Sequence, residues 1–278
     1  MNDIKVKCPA KINLGLNIVE KRPDNYHNIE TVFYPVNIFD YLTITKSSIN
    51  SFKTNNDLLN SEQDNLILKA KKLLEEHTKE ELTSEIYLEK NIPIGAGLGG
   101  GSSNAAAALN AFNQLFELEV GHEELANIAL QLGSDVPFFL TPQPAYAELR
   151  GERLIYLDYK IDKPILIINP NIHLSTKWAY ENITPKKPSN NLYDVLVIKE
   201  IGVAEFKDYI TNDFEEPAFK QFPLIKEIKE KLTEQSAIFS LLSGSGSSIF
   251  SIFDDINSAE NAQQFFNKNY KTFIHNED

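Results

Sequence analysis

The chain has 278 residues, and 39 acidic against 27 basic side chains leave a formal net charge of −12 at pH 7; such a surface repels nucleic-acid backbones and anionic lipid at long range, so neither is expected as a partner. Hydrophobic residues at 42% and aromatic ones at 10% supply a real core, which excludes a disordered tail or a fibrous repeat. The single cysteine, Cys8, excludes a disulfide framework, an iron–sulfur cluster and any multi-cysteine metal site, and neither a membrane-length apolar run nor an apolar leader follows the start MNDIKVKCPAK, so a cytoplasmic protein is expected.

From Ile4 onward apolar residues alternate, with Ile4, Val6 and Cys8 followed by Ile12, Leu14, Leu16 and Ile18, the period-two pattern of half-buried strands. Lys11, Asn13, Gly15 and Asn17 then share the opposite face. Residues 21–27, KRPDNYH, read as a loop, and Thr31–Val36 and Tyr41–Lys46 as two further strands. Ser61–Asp64 resembles a capping box ahead of a helix whose face is Leu66, Ile67, Ala70, Leu73 and Leu74. Glu85–Lys90 alternates as a strand, Asn104–Phe116 carries an alanine run of high helix propensity, and Glu123–Leu132 reads as a helix closed by Gly133, with Asp135 in the turn behind it.

Strands are expected at Ala145–Arg150, Leu154–Leu157 and Ile165–Ile168, then helices near 175–183, 203–211 and 223–234. Strands at Ile238–Leu242 and Ser248–Phe253 flank SGSGSS, and a helix over Ser258–Asn269 precedes a last short strand. Helices and strands segregate rather than alternate, which makes the fold class α+β, with two domains expected at 1–157 and 158–278.

Seven of the 12 glycines sit in two places, at Gly95, Gly97, Gly99, Gly100 and Gly101 and at Gly244 and Gly246. A glycine loop that opens a helix turns unpaired N–H groups and the positive end of the dipole toward an anion, and phosphate is the natural guest. Ser102, Ser103 and Asn104 can cap the helix or bond phosphate or a bound Mg²⁺. The P-loop pattern fails because Gly101, not lysine, precedes Ser102. Gly95, Gly97 and Gly100 do satisfy the dinucleotide pattern GxGxxG, but LFELEV after the helix is a poor buried parallel strand.

PAKINLGLNI at 9–18, PIGAGLGGGSSNAAAALN at 93–110, GSDVPFFL at 133–140 and SGSGSSIF at 243–250 together resemble the GHMP kinase superfamily, in the family's order and over nearly the whole chain. KRPDNYHNIETVF at 21–33 and NDFE at 212–215 are similar to segments of one member, whose acceptor is a cytidine-diphosphate-linked methylerythritol. The resemblance implies an N-terminal domain like the second domain of ribosomal protein S5 and a ferredoxin-like C-terminal domain. It also implies a cytoplasmic ATP- and Mg²⁺-dependent kinase that phosphorylates the 2-hydroxyl of that acceptor in non-mevalonate isoprenoid synthesis.

Carried over by position, Asp135 matches the aspartate that takes the hydroxyl proton and Lys11 the lysine that pairs with it. Pro93, Gly95, Gly97, Leu98, Gly99, Gly100, Gly101, Ser102, Ser103 and Asn104 form the ATP-phosphate segment, and Ser243, Gly244, Ser245 and Gly246 the second glycine loop. Asn13, Tyr26, His27, Thr176 and Tyr180 bind the acceptor, with Tyr26 and His27 resembling a cytosine clamp and Trp178 a rival to Tyr180 as second stacking ring.

The plainer readings are a solvated strand charge for Lys11, a turn-capping carboxylate before Pro137 for Asp135 and a surface packing pair for Tyr26 and His27. Serines stand in the second loop where the family tends to Ala and Cys or Thr, and AELRGERL at 147–154 departs from the family's GRGE, so the role of Arg150 is open. The metal ligands are not assigned, and a monomer or homodimer both fit. The competing functions are a GHMP kinase for another alcohol, of the homoserine or mevalonate type, and a non-catalytic nucleotide-binding module.

Overall fold

The structure, a computed structural model, describes residues 1–59 and 65–276. The chain divides into two compact units that are discontinuous in sequence, one built from residues 1–10, 38–94 and 99–142 and the other from 11–37, 95–98 and 143–278. Two long strands, β1 (Asp3–Lys21) and β2 (His27–Lys46), contribute residues to both.

In the first unit β3 (Ser51–Thr54) runs parallel to β4 (Ser84–Glu89), and β4 pairs antiparallel with residues 41–46 of β2. The crossover between β3 and β4 carries α1 (Leu66–Thr78), which buries Ile67, Ala70 and Leu74 on the expected face. Its cap is Asn65, whose side chain accepts from the Ile67 N–H at 2.9 Å; the capping box expected at Ser61–Asp64 lies outside the described residues. α2 (Gly100–Phe116) and α3 (His122–Leu132, closed by Gly133) pack with α1. The alanines of α2 at 105, 106, 108 and 111 are buried, and their small size lets helices approach, while Leu109 and Phe112 fill the space between them, each contributing about 1.5–3 kcal/mol by leaving water.

In the second unit residues 29–33 of β2 pair antiparallel with β5 (Ala145–Leu149), and β5 pairs with β6 (Arg153–Tyr156). A four-stranded antiparallel sheet follows, in the order β10 (Lys271–His275), β7 (Ile165–Asn169), β9 (Ile249–Ile252), β8 (Phe239–Leu242). α4 (Thr176–Glu181), α5 (Phe206–Tyr209), α6 (Glu215–Gln221), α7 (Pro223–Glu234) and α8 (Ile256–Phe266) complete the unit. Ile225, Ile228 and Leu232 of α7, at helical spacing, join Ala259, Ala262 and Phe266 of α8 and Leu166 and Ile168 of β7 in one core.

Three expectations need correction. Thr31–Val36 and Tyr41–Lys46 are one strand, because the alternation continues through buried Val36, Ile38 and Asp40 in spite of Pro35 and Asn37. The helix read from Asn104 begins four residues earlier, at Gly100. Its N-cap is Gly99 in the left-handed conformation (φ 70°), so Ser102, Ser103 and Asn104 lie inside its first turns and do not cap it. α6 has no counterpart among the expected helices, since Pro217 breaks the local pattern that would announce it.

Candidate active site

Lys11 lies on β1 and is buried, 4% exposed, so it is not a solvated strand charge. Its Nζ donates to Asn13 Oδ1, and the ammonium stands 5.1 Å from the centre of the Phe33 ring. Asn13 Nδ2 donates to Thr31 Oγ1 at 2.8 Å, and Thr31 in turn donates to the Gly15 carbonyl at 2.6 Å. The two-residue spacing of Lys11 and Asn13 puts them on one face, as the alternation required.

Both glycine loops meet this strand. The Lys11 N–H donates to the Leu98 carbonyl at 3.0 Å, and Asn13 Oδ1 is 3.4 Å from where a Cβ on Gly244 would stand. The loops also interlock with each other. Ser243 Oγ donates to the Gly97 carbonyl at 3.0 Å, and the Ser248 N–H to that of Ala96 at 3.2 Å. Gly97 (φ +77°) allows no side chain, because a Cβ would lie 1.9 Å from the Ser243 carbonyl oxygen. Asn212, which local pattern did not single out, secures the second loop: its Nδ2 donates to the carbonyls of Leu242 and Gly244, both at 2.8 Å. The neighbouring Asp213 accepts from the Ile18 N–H at 2.8 Å, tying this turn to β1. Thr176 Oγ1 lies 3.1 Å from Ser245 Oγ.

The KRPDNYH segment is a built turn. Arg22 and Asp24 form an ion pair at 3.1 Å, Asp24 accepts from the Tyr26 N–H at 3.1 Å, and the Arg22 N–H donates to the Tyr26 carbonyl at 2.8 Å. Tyr26 is 52% exposed, with the Arg150 guanidinium 4.7 Å from its ring centre. That contact answers the open question about Arg150: it supports one face of Tyr26. His27 is buried and stacks on Tyr180, ring centres 4.9 Å apart and planes 18° off parallel. Burial, with a smaller push from Lys21, holds His27 below the ordinary imidazole range. Trp178 instead packs edge-on to Phe222, so of the two rivals Tyr180 is the ring that reaches His27. His27 and Tyr180 touch, which leaves no gap for a base between them, and Tyr180 packs edge-on to Phe214 as well, ring centres 5.0 Å apart.

Pro93, Gly99, Gly100, Gly101, Ser102, Ser103, Asn104 and Asp135 belong to the other unit. Ser103 Oγ is buried with no hydrogen-bond partner among the described residues, an open donor in the first turn of α2. Asp135 is half-buried in the turn after α3, just ahead of the short 3₁₀ turn Pro137–Leu140, which is entered from Val136. Among the described residues no three His, Cys, Asp or Glu side chains gather as a metal cage, and no helix is long and apolar enough to cross a membrane.

The sequence patterns of the GHMP kinases N terminal domain and the GHMP kinases C terminal domain match residues 65–143 and 197–272. A 4-diphosphocytidyl-2-C-methyl-D-erythritol kinase from Chlorobium phaeobacteroides is 40% identical over 277 residues, covering 97% of this chain and 96% of the relative. A crystal structure of 4-(cytidine 5'-diphospho)-2C-methyl-D-erythritol kinase superposes with a TM-score of 0.82 at 30% identity, covering 98% of each chain. Homoserine kinase from Cytophaga hutchinsonii shares the fold, with a TM-score of 0.70 at 21% identity over 99% of this chain and 94% of that one. With both patterns matched and the likeness running the length of its relatives, this chain belongs to the GHMP kinases and, within them, to the family of 4-diphosphocytidyl-2-C-methyl-D-erythritol kinases.

Proposed function

We propose that the chain transfers the γ-phosphoryl group of ATP to the 2-hydroxyl of 4-diphosphocytidyl-2-C-methyl-D-erythritol, a cytoplasmic step of non-mevalonate isoprenoid synthesis. The observation that carries this reading is the strand that joins Lys11 to the glycine loops: the Lys11 backbone N–H donates to the Leu98 carbonyl while its buried ammonium donates to Asn13 Oδ1. Phosphoryl transfer asks for charge neutralisation and positioning more than covalent chemistry, and this arrangement offers both.

In this reading Gly95, Gly97 and Leu98, with Gly99 to Asn104 opening α2, present backbone N–H groups to the ATP phosphates, and Ser243 to Gly246 hold the first loop in shape. Asp135 receives the proton of the attacking hydroxyl, and Lys11 offsets negative charge developing on that oxygen. Ser102 or Ser103, the latter with an open Oγ, would hold a magnesium ion brought by ATP, which would supply neutralisation of phosphate charge. Tyr26, braced by Arg150, and His27 with Tyr180 offer ring faces and an imidazole edge to a cytosine. A ring pair of this kind has no evident use for homoserine or mevalonate. The division at 157/158 into an N-terminal domain with the phosphate segment and a C-terminal domain is part of the same proposal.

The test is ADP release by the purified protein with Mg²⁺ and ATP, offered the cytidylyl acceptor beside homoserine, mevalonate, galactose and no acceptor. Turnover confined to the cytidylyl compound is expected. Turnover with another alcohol would keep the kinase and remove the acceptor, and ATP binding with silence across the panel would point to a nucleotide-binding module.

A further inference from the structure

The most heavily bonded buried carboxylate among the described residues lies outside every role assigned above. Asp40, in the middle of β2, is 0% exposed. Its Oδ1 accepts from the Asn91 N–H at 2.6 Å and the Ile92 N–H at 2.8 Å. Its Oδ2 accepts from Lys90 Nζ at 2.6 Å and from Asn104 Nδ2 at 2.9 Å. Lys90, with only 4% of its side chain exposed, also donates to the Ile92 carbonyl at 2.7 Å.

These partners are not scattered. Asn91 and Ile92 end the segment that enters the glycine loop, and Asn104 lies in the second turn of the helix that leaves it. One carboxylate therefore pins residues twelve apart in the chain. The Lys90 ammonium completes the junction, since a Cβ on Gly100 would stand 2.9 Å from Lys90 Nζ and 2.9 Å from Ile92 Cγ2. A side chain at position 100 would therefore crowd both the ammonium and Ile92 at the first residue of α2.

The charge balance matters as much as the geometry. A lone buried carboxylate at the start of a helix meant for phosphate would repel its guest, and Lys90 cancels that charge. Cys8 shares the pocket through a hydrogen bond with Asn104, and burial pushes its thiol up to about 12, so it adds no second anion at neutral pH.

We propose that Asp40 is a positioning residue for nucleotide binding: with Lys90 it locks the two ends of the glycine loop in the spacing that phosphate requires, at no net charge. The proposal rests on the kinase reading above. A preorganised loop does not have to be ordered when the ligand arrives, and loosening it costs affinity for that ligand in particular.

The experiment is steady-state kinetics on Asp40→Asn and Asp40→Ala, with ATP binding by titration calorimetry and thermal melts alongside. Asp40→Asn keeps an acceptor for Asn91 and Ile92 but breaks the ion pair; Asp40→Ala removes all four bonds. The expected result is a KM for ATP raised about ten-fold or more in the alanine variant and roughly three-fold in the asparagine variant, the scale of lost charge-assisted hydrogen bonds. The KM of the alcohol acceptor should stay within about two-fold, the mark of a role confined to the nucleotide side. Equal movement of both KM values, an unchanged KM for ATP, or an asparagine variant that cannot fold would make Asp40 a general structural residue and overturn the proposal. A wild-type protein that neither binds nor turns over ATP would instead remove the kinase reading itself.

Discussion

The two glycine loops of this chain are anchored by different chemistry. The ends of the first are held by a buried ion pair, Asp40 with Lys90 at 2.6 Å, reinforced by Asn104 and two backbone N–H groups. The second is held by a neutral amide, Asn212, whose two donated bonds end on the Leu242 and Gly244 carbonyls. A charged clamp is stiff and must be complete, because removing one partner strands a charge in a dry interior. An amide clamp loses only hydrogen bonds when it goes. The loop assigned to the phosphates carries the stiffer device, and the loop that supports it carries the milder one.

That contrast can be broken or sharpened by substitution, and the chemistry supplies the largest effect. Asp135→Asn should lower kcat by roughly 10²–10⁴-fold, the range for a positioned base, with ATP affinity by calorimetry nearly unchanged; near-normal turnover would take Asp135 out of that role. Next in size, Lys90→Met leaves Asp40 buried without its counter-ion and should cost about 3–5 kcal/mol in urea unfolding. Asn212→Ala, which orphans two carbonyls, should cost about 1–3 kcal/mol. If the amide variant proves as damaging as the lysine one, the distinction between the two clamps does not hold.

Smaller effects separate glycines that look alike in sequence. Gly101 lies inside α2, and a Cβ there meets nothing closer than Leu66 Cδ1 at 3.7 Å. Gly101→Ala should therefore raise stability by about 0.5–1 kcal/mol, measured by the melting midpoint, whereas Gly97→Ala cannot be accommodated against Ser243. The smallest expected effect is a pH dependence. His27 is held below its ordinary value in the folded state by burial and Lys21, so well above its ordinary value of about 6.5 it is neutral folded or unfolded and contributes nothing to the slope. As pH falls below that value the unfolded chain takes up the proton first, so stability declines until the folded His27 also titrates. His27→Gln should flatten that acid limb, and an unaltered limb would show that another group causes it.

Much of this was legible in the sequence because it is written locally. Alternation on β1 put Lys11 and Asn13 on one face, and the density of glycine between 95 and 101 marked a loop that opens a helix, as it does at Gly100. The resemblance of GSDVPFFL supplied Asp135, which no local pattern would have selected. Asp40 was not legible: FDYLT reads as one more acidic position on a strand, while its partners Lys90 and Asn104 lie 50 and 64 residues away. Asn212 stood out only through the resemblance of NDFE at 212–215, and its partners Leu242 and Gly244, at separations of 30 and 32, were not legible. A satisfied buried polar group is defined by where its partners arrive in space, and a single sequence carries that only through the whole fold. The serines after Gly101 show the converse error: a local rule for capping was applied where the left-handed Gly99 starts the helix earlier and no side chain caps it.

The central claim, that the glycine loops are a cradle for nucleotide phosphates, is tested most directly by titration calorimetry of the wild-type protein with ATP, ADP and AMP in the presence of Mg²⁺. The account predicts affinity that falls steeply as phosphates are removed, with AMP weaker than ATP by about a hundred-fold or more, on the scale of a few charge-assisted hydrogen bonds. AMP bound as tightly as ATP would place the affinity in the base and ribose, and the glycine loops would lose the role assigned to them.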